Sequence, residues 1–284
     1  LIWPDGQVCS GKLLGINCAR CGTARVGSGL VRAVRPAMAP VFLWRDHVVR
    51  RAALEIGSFV APSRFLRDRY LDVGFPADAI AVLENGVDVD RFRAFPPRPP
   101  ESGVLRVTYL GSLAWQKGVH VLVEAMKGLP TDRIHLRVFG NPNVFPDYSA
   151  RLRAMSDPGN TTFEGAIPNT RVPWLLAETD VLAVPSLWYE NSPVVIQEAH
   201  AAGVPVLASN LGALTEKVRD GVDGGLVPPG DVDAWRSALQ RLVDDPAQVK
   251  LWRARVDSPL SISDHVEQLE RHYTRILNCS LGAA

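Results

Sequence analysis

No apolar run in the chain approaches the roughly 20 residues that a membrane-spanning helix needs. The opening LIWPDGQVCSGK has neither a basic leader nor a long apolar stretch. The expected location is cytoplasmic, with peripheral contact at most between the protein and a membrane. An excess of one charge is also lacking. Against 30 Asp and Glu stand 31 Lys and Arg, a formal charge of +1, so nothing draws the molecule generally toward nucleic acid. The local excess in residues 1–100, 14 basic against 9 acidic, reads as a solvated face. Cysteine is scarce, with four residues at 9, 18, 21 and 279. Cys9, Cys18 and Cys21 follow a C-x8-C-x2-C spacing, but a structural zinc site takes four ligands, often as two close pairs. The reading is therefore reduced cysteines in a loop and no metal. Internal repeats and low-complexity tracts are absent.

What is present is a large apolar fraction, 46% of 284 residues, enough for a sizeable core divided between two units. From about residue 103, short β-rich runs alternate with helical stretches. VLRVTYLG precedes KGVHVLVEAMKGL, IHLRVFG precedes DYSARLRAM, and TTFEGAI precedes VPWLLAET. DVLAVPS then leads to PVVIQEAHAAG, and VPVLAS to ALTEKVRDG. Strand and helix in repetition mean right-handed crossovers and a parallel sheet with helices on both faces, an α/β Rossmann-like domain. VTYL, VLAV and PVLA are apolar almost throughout, as strands buried on both sides are. FPPRPPESG, 95–103, carries four prolines and reads as a stiff linker. The expected division is 1–94 as a partial N-terminal domain, 104–258 as the Rossmann-like domain and 259–284 as a helix and tail. Before the linker, GSFVAPS reads as a strand, RFLRDRYLDVG as a helix ended by Gly74, and AIAVLENG as a strand closed by an Asn85-Gly86 turn. Residues 231–255 and 264–277 read as amphipathic helices.

Ligands of open parallel sheets bind beyond the carboxyl ends of the strands, where helix N-termini present unbonded N–H groups. Two strand ends stand out. YLGSLAWQKGVHV places Gly111 where backbone can approach closely, then delivers Lys117 and Gly118 to a helix start, where a lysine can neutralise phosphate. A solvent-exposed lysine fits the same pattern. In WYENSPVVIQEA, residues 188–199, Asn191 or Ser192 can cap a helix whose first position suits Pro193. The N–H groups of Val194 and Val195 are then available to an anion. Glu190 reaches the crevice from the loop, and Glu198 can point back toward it along the helix. A phosphate flanked by two hydroxyl-rich parts would satisfy this arrangement. A surface Glu190 and an exposed helical Glu198 would produce the same spacing.

YLGSLAWQKGVHVLVEA, VPSLWYENSPVVIQEAHAAGVPVLASNLGALTE and DGVDGGLVPPGD together resemble the retaining glycosyltransferases of family 4, with ENGVDVDRF resembling that family's interdomain link. The resemblance covers about 53–255 and implies a GT-B fold: a complete C-terminal Rossmann-like domain with parallel sheet and a partial N-terminal one. It also implies a nucleotide-diphosphate sugar as donor, with Lys117 and the Gly111 loop on the diphosphate and Glu190 on hydroxyls of the sugar. Asn191, Ser192, Pro193, Val194 and Val195 would hold sugar and phosphate through their backbone, and Glu198 the ribose. Gly165 and Ile167, in the loop GAIP, would meet the nucleobase. Many members carry Arg where this chain has Ser112, which shifts the diphosphate onto Lys117 and helix amides. The N-terminal cysteine segment resembles a loop of some members. The family's glycine-rich first loop and acceptor-side histidine have no counterpart here, so the acceptor half is expected to be absent. His47, in VFLWRDHVVRR, reads as a packing or surface residue of a helix.

The implied reaction is transfer of a sugar to a hydroxyl acceptor, whether glycan, lipid-linked or small molecule, with retention at the anomeric carbon. Lys117 and Glu190 are its expected catalytic residues. Stabilisation of the leaving diphosphate carries it, with neither cofactor nor metal. Two other readings fit the residues less fully: a sugar-nucleotide-binding module without turnover, and a sugar-nucleotide epimerase.

Overall fold

The structure is a computed structural model and describes residues 16–23, 36–98 and 103–281. Its residues form two compact units. Among the described residues, one is drawn from those up to Ala61 and from Arg67–Val82, the other from Pro62–Leu66 and those from Leu83 onward. Residues 99–102 of the proline-rich stretch, Cys9 and the side chain of Cys279 lie outside the described residues.

In the smaller unit, helices α1 (Ile16–Thr23) and α2 (Ala39–Leu54) precede a two-stranded parallel sheet of β1 (Phe59–Ala61) and β2 (Ile80–Val82). Helix α3 (Arg64–Leu71), whose residues up to Leu66 count with the larger unit, lies between the strands in sequence and is followed by Gly74 at φ 88°. Cys18 and Cys21 sit on α1, three residues apart on a helix rather than in the expected loop, and neither forms a disulfide. His47 lies on α2, as expected. The turn expected at Asn85-Gly86 is not formed: the strand ends at Val82, and residues 83–86, which belong to the larger unit, carry no turn. Gly86 is small because a Cβ there would meet the Ser261 carbonyl oxygen at 2.7 Å, where Val87 bridges to Ser261.

The larger unit holds a six-stranded, all-parallel sheet. In chain order its strands are β3 (Leu105–Leu110), β4 (Ile134–Phe139), β5 (Thr161–Gly165), β6 (Val181–Val184), β7 (Val206–Ser209) and β8 (Gly224–Val227). In space they run β5-β4-β3-β6-β7-β8. The expected parallel α/β architecture is therefore present, with one strand more than the alternation of runs indicated. That strand, β8, opens on two glycines, which side-chain pattern does not mark as strand. A Cβ at Gly224 would stand 2.0 Å from the Val206 carbonyl oxygen.

Residue alternation divides the interior between the faces. Val107 and Tyr109 of β3, Val181 and Ala183 of β6 and Leu207 of β7 join one core. Helices α5 (Val119–Met126), α6 (Pro146–Met155), α10 (Val232–Asp244) and α11 (Pro246–Ala254) cover it. Leu182 and Val184 of β6 and Val206 and Ala208 of β7 join the other, under α4 (Val89–Arg93), α7 (Val172–Ala177), α8 (Val194–Ala201) and α9 (Leu214–Lys217). Burying each such aliphatic side chain stabilises by about 1.5–3 kcal/mol, so both sides of the sheet hold the strand ends in place. The stretch 231–255 is two helices, not one. Asp245 ends α10 and caps α11 by accepting from the Ala247 amide at 3.2 Å, and Pro246 cannot continue the first helix. The last helix, α12 (Ile262–Leu281), is longer than its apolar pattern indicated.

Candidate active site

In the order β5-β4-β3-β6-β7-β8 the chain starts at β3, builds outward to β5, then returns to add β6 on the other side of β3. The topological switch point thus lies beyond the carboxyl ends of β3 and β6. Both loops singled out in the sequence leave the sheet there. After β3 come Gly111, Ser112 and the 3-10 turn Trp115–Lys117, and after β6 come residues 185–193. They are pressed together: the Leu187 amide donates to the Gln116 carbonyl at 2.9 Å. Gly118 adopts φ 70°, and a Cβ on it would stand 1.8 Å from the Pro185 carbonyl oxygen. Only glycine satisfies both demands.

This approach joins residues 73 positions apart. The Lys117 Nζ donates to Glu190 Oε1 at 2.7 Å. The same oxygen accepts from Ser186 Oγ at 2.6 Å and Trp188 Nε1 at 2.9 Å, and the Lys117 ammonium lies 5.4 Å from the centre of the Trp188 ring. Three donors converge on one carboxylate oxygen, with the Glu190 side chain 12% exposed and that of Lys117 28%. Charge-assisted bonds of this kind orient both side chains. Lys117 and Glu190, expected on the diphosphate and on the sugar of one donor, are therefore in direct contact. Ser186 and Trp188 stand in VPSLWYE, but nothing in the sequence marks them as partners of Glu190.

The strand β3 supports the loop that carries Lys117. The Tyr109 hydroxyl donates to the Ser112 carbonyl at 2.8 Å. Burial, followed by Tyr148 and Glu190, pushes this phenol far above its usual range, so it stays a donor. Gly111 donates to the Phe139 carbonyl at 3.0 Å, and Gly140, overlooked in the sequence, brings β4 so close that a Cβ would meet the Gly111 carbonyl at 2.3 Å.

Helix α8 starts one residue later than expected. Pro193 is its N-cap rather than its first residue, and no side chain caps it, so neither Asn191 nor Ser192 plays that part. Proline extended at φ −73°, ψ 99° has already left helical geometry. The amides of Val194 and Val195 have no hydrogen-bond partner among the described residues, whereas Ile196 donates to the Pro193 carbonyl at 3.0 Å. Ser192 Oγ is also buried without a partner. Val195 packs its side chain toward the second core and Val194 is exposed. The helix end thus presents two unbonded N–H groups and the positive end of its dipole.

Glu198 lies on the second turn of α8, half-buried. Desolvation raises its carboxyl above the ordinary range, and Arg91 partly offsets this. It makes no side-chain hydrogen bond among the described residues. Arg91 in turn bonds the Asn169 carbonyl, just past the loop of Gly165 and Ile167. In that loop Gly165 has φ 79° with open space at its Cβ position and accepts from the Gly140 amide at 2.8 Å, while Ile167 turns its side chain to the core. Glu190 is thus bonded to the β3 loop, and Glu198 shares Arg91 with the neighbourhood of the β5 loop.

Among the described residues no three His, Cys, Asp or Glu side chains are placed to hold a metal ion, and no helix is long and apolar enough to cross a membrane.

Residues 90–256 match the family model of glycosyl transferases group 1. A glycogen synthase of Mycobacterium tuberculosis is 32% identical over 219 residues, covering 74% of this chain and 51% of that protein. A GDP-mannose-dependent alpha-(1-6)-phosphatidylinositol monomannoside mannosyltransferase of Mycolicibacterium smegmatis is 32% identical over 258 residues, 82% of this chain and 65% of that one. The chain thus spans from about half to just under two thirds of the length of these relatives. Among solved structures, a glycosyltransferase from Rickettsia africae superposes with a TM-score of 0.71 at 21% identity, covering 79% of this chain and 64% of the other. Anabaena HepE in complex with UDP and glucose gives 0.69 at 20%, covering 77% and 63%. These structures share the fold, GT-B with Rossmann-like units.

Proposed function

The chain belongs to the glycosyl transferases group 1 family, and from that premise we propose that it binds a nucleotide-diphosphate sugar and serves transfer of the sugar to a hydroxyl acceptor with retention at the anomeric carbon. The observation that carries this reading is the Lys117–Glu190 bond of 2.7 Å, at the switch point where the unbonded amides of Val194 and Val195 open α8. An ammonium and two amides suit a diphosphate, and a carboxylate whose second oxygen has no partner among the described residues suits sugar hydroxyls.

In the proposed reaction the acceptor oxygen bonds to the anomeric carbon while that carbon's bond to the β-phosphate oxygen breaks. The acceptor proton leaves with the nucleoside diphosphate. Negative charge grows on the departing phosphate, and Lys117 with the α8 amides stabilises it in place, without reorganisation at the moment of reaction. Glu190 orients Lys117 and accepts from a sugar hydroxyl. Glu198 accepts from the ribose, which offsets the cost of its burial. Gly111, Ser112 and Asn191 to Pro193 supply backbone around diphosphate and sugar, and Gly165 and Ile167 backbone at the base. The donor diphosphate needs no further cofactor or metal in this reading.

A relative named for GDP-mannose and a structural neighbour holding UDP set the donors to try first. The acceptor is a hydroxyl of a glycan, lipid-linked or small molecule, met in the cytoplasm or at a membrane surface. Every residue assigned here lies in the larger unit, so donor binding is proposed for that unit itself. Lys117→Ala is expected to lower turnover of the preferred sugar nucleotide about 10²–10³-fold with circular dichroism unchanged. Equal turnover would remove the leaving-group argument.

A further inference from the structure

The loop that carries Glu190 is held from its far side by a short stretch of chain more than 120 residues earlier. Ser63 is 3% exposed, and its Oγ donates to the Asn191 carbonyl at 2.6 Å while accepting from the Leu66 amide at 3.2 Å. The next two amides, of Arg64 and Phe65, both donate to the Glu216 carboxylate on α9, the first at 2.9 Å. The Phe65 ring lies 4.8 Å from that of Tyr189. Gly212, at φ 55°, leaves room for both rings: a Cβ there would stand 3.0 Å from Tyr189 and 3.2 Å from Phe65. Tyr189 and Asn191 flank Glu190 in sequence, so the fastenings bracket it.

We infer that Pro62–Leu66 is a strap that fixes the conformation of the 188–193 loop, with Ser63 as a positioning residue for Glu190 and the α8 amides. On the near side the loop is tied through Leu187 and through the Glu190 carboxylate itself. A carboxylate that must also meet a ligand is a poor anchor for its own backbone. Ser63, Phe65 and Glu216 supply an anchor that ligand binding leaves untouched. A serine hydroxyl suits this position because one oxygen can cap α3 and donate across to Asn191 simultaneously. The consequence for the donor rests on the reading of the site given above, but the restraint on the loop does not.

The test separates them. Hydrogen–deuterium exchange on the whole chain compares wild type with Ser63→Ala and Phe65→Leu. Exchange in the peptide spanning 187–196 is expected to quicken about tenfold in both variants, with β3 and β6 unchanged. A Ser63 that only caps α3 would quicken 64–71 and leave 187–196 alone, and that result overturns the strap. Calorimetry with UDP-glucose, GDP-mannose, UMP and GMP gives the second reading. Ser63→Ala is expected to weaken the sugar nucleotide that wild type binds about tenfold and the matching monophosphate less than twofold, because the strap holds the sugar and β-phosphate end. Equal weakening of both overturns its link to that end. A wild type that binds none of them, with the exchange effect present, sinks the donor reading and leaves the strap standing.

Discussion

Strands β3 and β6 carry a charged cluster at each end, and the two clusters are built to opposite plans. At the amino end, Asp180 is fully engaged. Its Oδ2 accepts from the Arg106 amide at 2.9 Å and Arg106 Nε at 3.0 Å, and its Oδ1 from the other arm of that guanidinium at 2.9 Å. Arg253 stands 3.6 Å away and donates to the Thr179 carbonyl at 2.9 Å. At the carboxyl end all three donors crowd onto Glu190 Oε1, and the Val194 and Val195 amides that follow this loop at the start of α8 have no partner among the described residues. A buried charge is tolerated when its bonding capacity is filled. The first cluster fills it internally and closes the sheet. The second leaves capacity over, which is what a ligand site requires.

The comparison breaks most readily at Asp180. Asp180→Ala would strand Arg106 and Arg253 with a pair removed, and a loss of about 3–5 kcal/mol in urea unfolding is expected, with donor affinity of the molecules that remain folded unaltered. In Lys117→Ala, where the side chain is more exposed, the stability change should stay below about 1 kcal/mol while turnover collapses. Similar stability losses in the two variants would erase the distinction between closed and open clusters.

Glu198→Gln sharpens the same contrast with a smaller effect. The carboxyl of Glu198 is raised in the folded protein, by burial first, so ionisation costs stability. Wild type therefore loses some stability as pH rises from the ordinary carboxylate range, near 4.3, through the raised value. The amide should remove that dependence, giving a higher melting temperature than wild type at pH 7 and convergence of the two below pH 4. It should also weaken a sugar nucleotide about tenfold. A variant less stable than wild type at pH 7 would mean that the carboxylate is satisfied within the protein.

Much of this was legible in the sequence, for reasons that differ by element. The runs VTYL, VLAV and PVLA betray strands buried on both faces because apolar side chains alternate between two cores, as Leu182 and Ala183 do. Strand β8 was not legible, since Gly224 and Gly225 are chosen for close approach rather than for a buried side chain. The break at Asp245-Pro246 was written in the residues but masked by amphipathic periodicity on both sides. Glu190, Lys117 and the α8 amides could be nominated from strand ends and helix starts alone. Their bond, and the parts played by Ser186, Trp188, Tyr109 and Ser63, depend on which loops the sheet order brings together. The capping expected of Asn191 or Ser192 failed because the extended Pro193 itself occupies the cap position.

The most direct measurement is a ¹⁵N nuclear magnetic resonance titration of the whole chain with UDP and GDP, each against its nucleoside. The amides of Val194 and Val195 and the Lys117 ammonium are expected to shift together and saturate with one diphosphate, and to stay in place with uridine or guanosine. Saturable binding that leaves those three resonances unmoved would contradict the account.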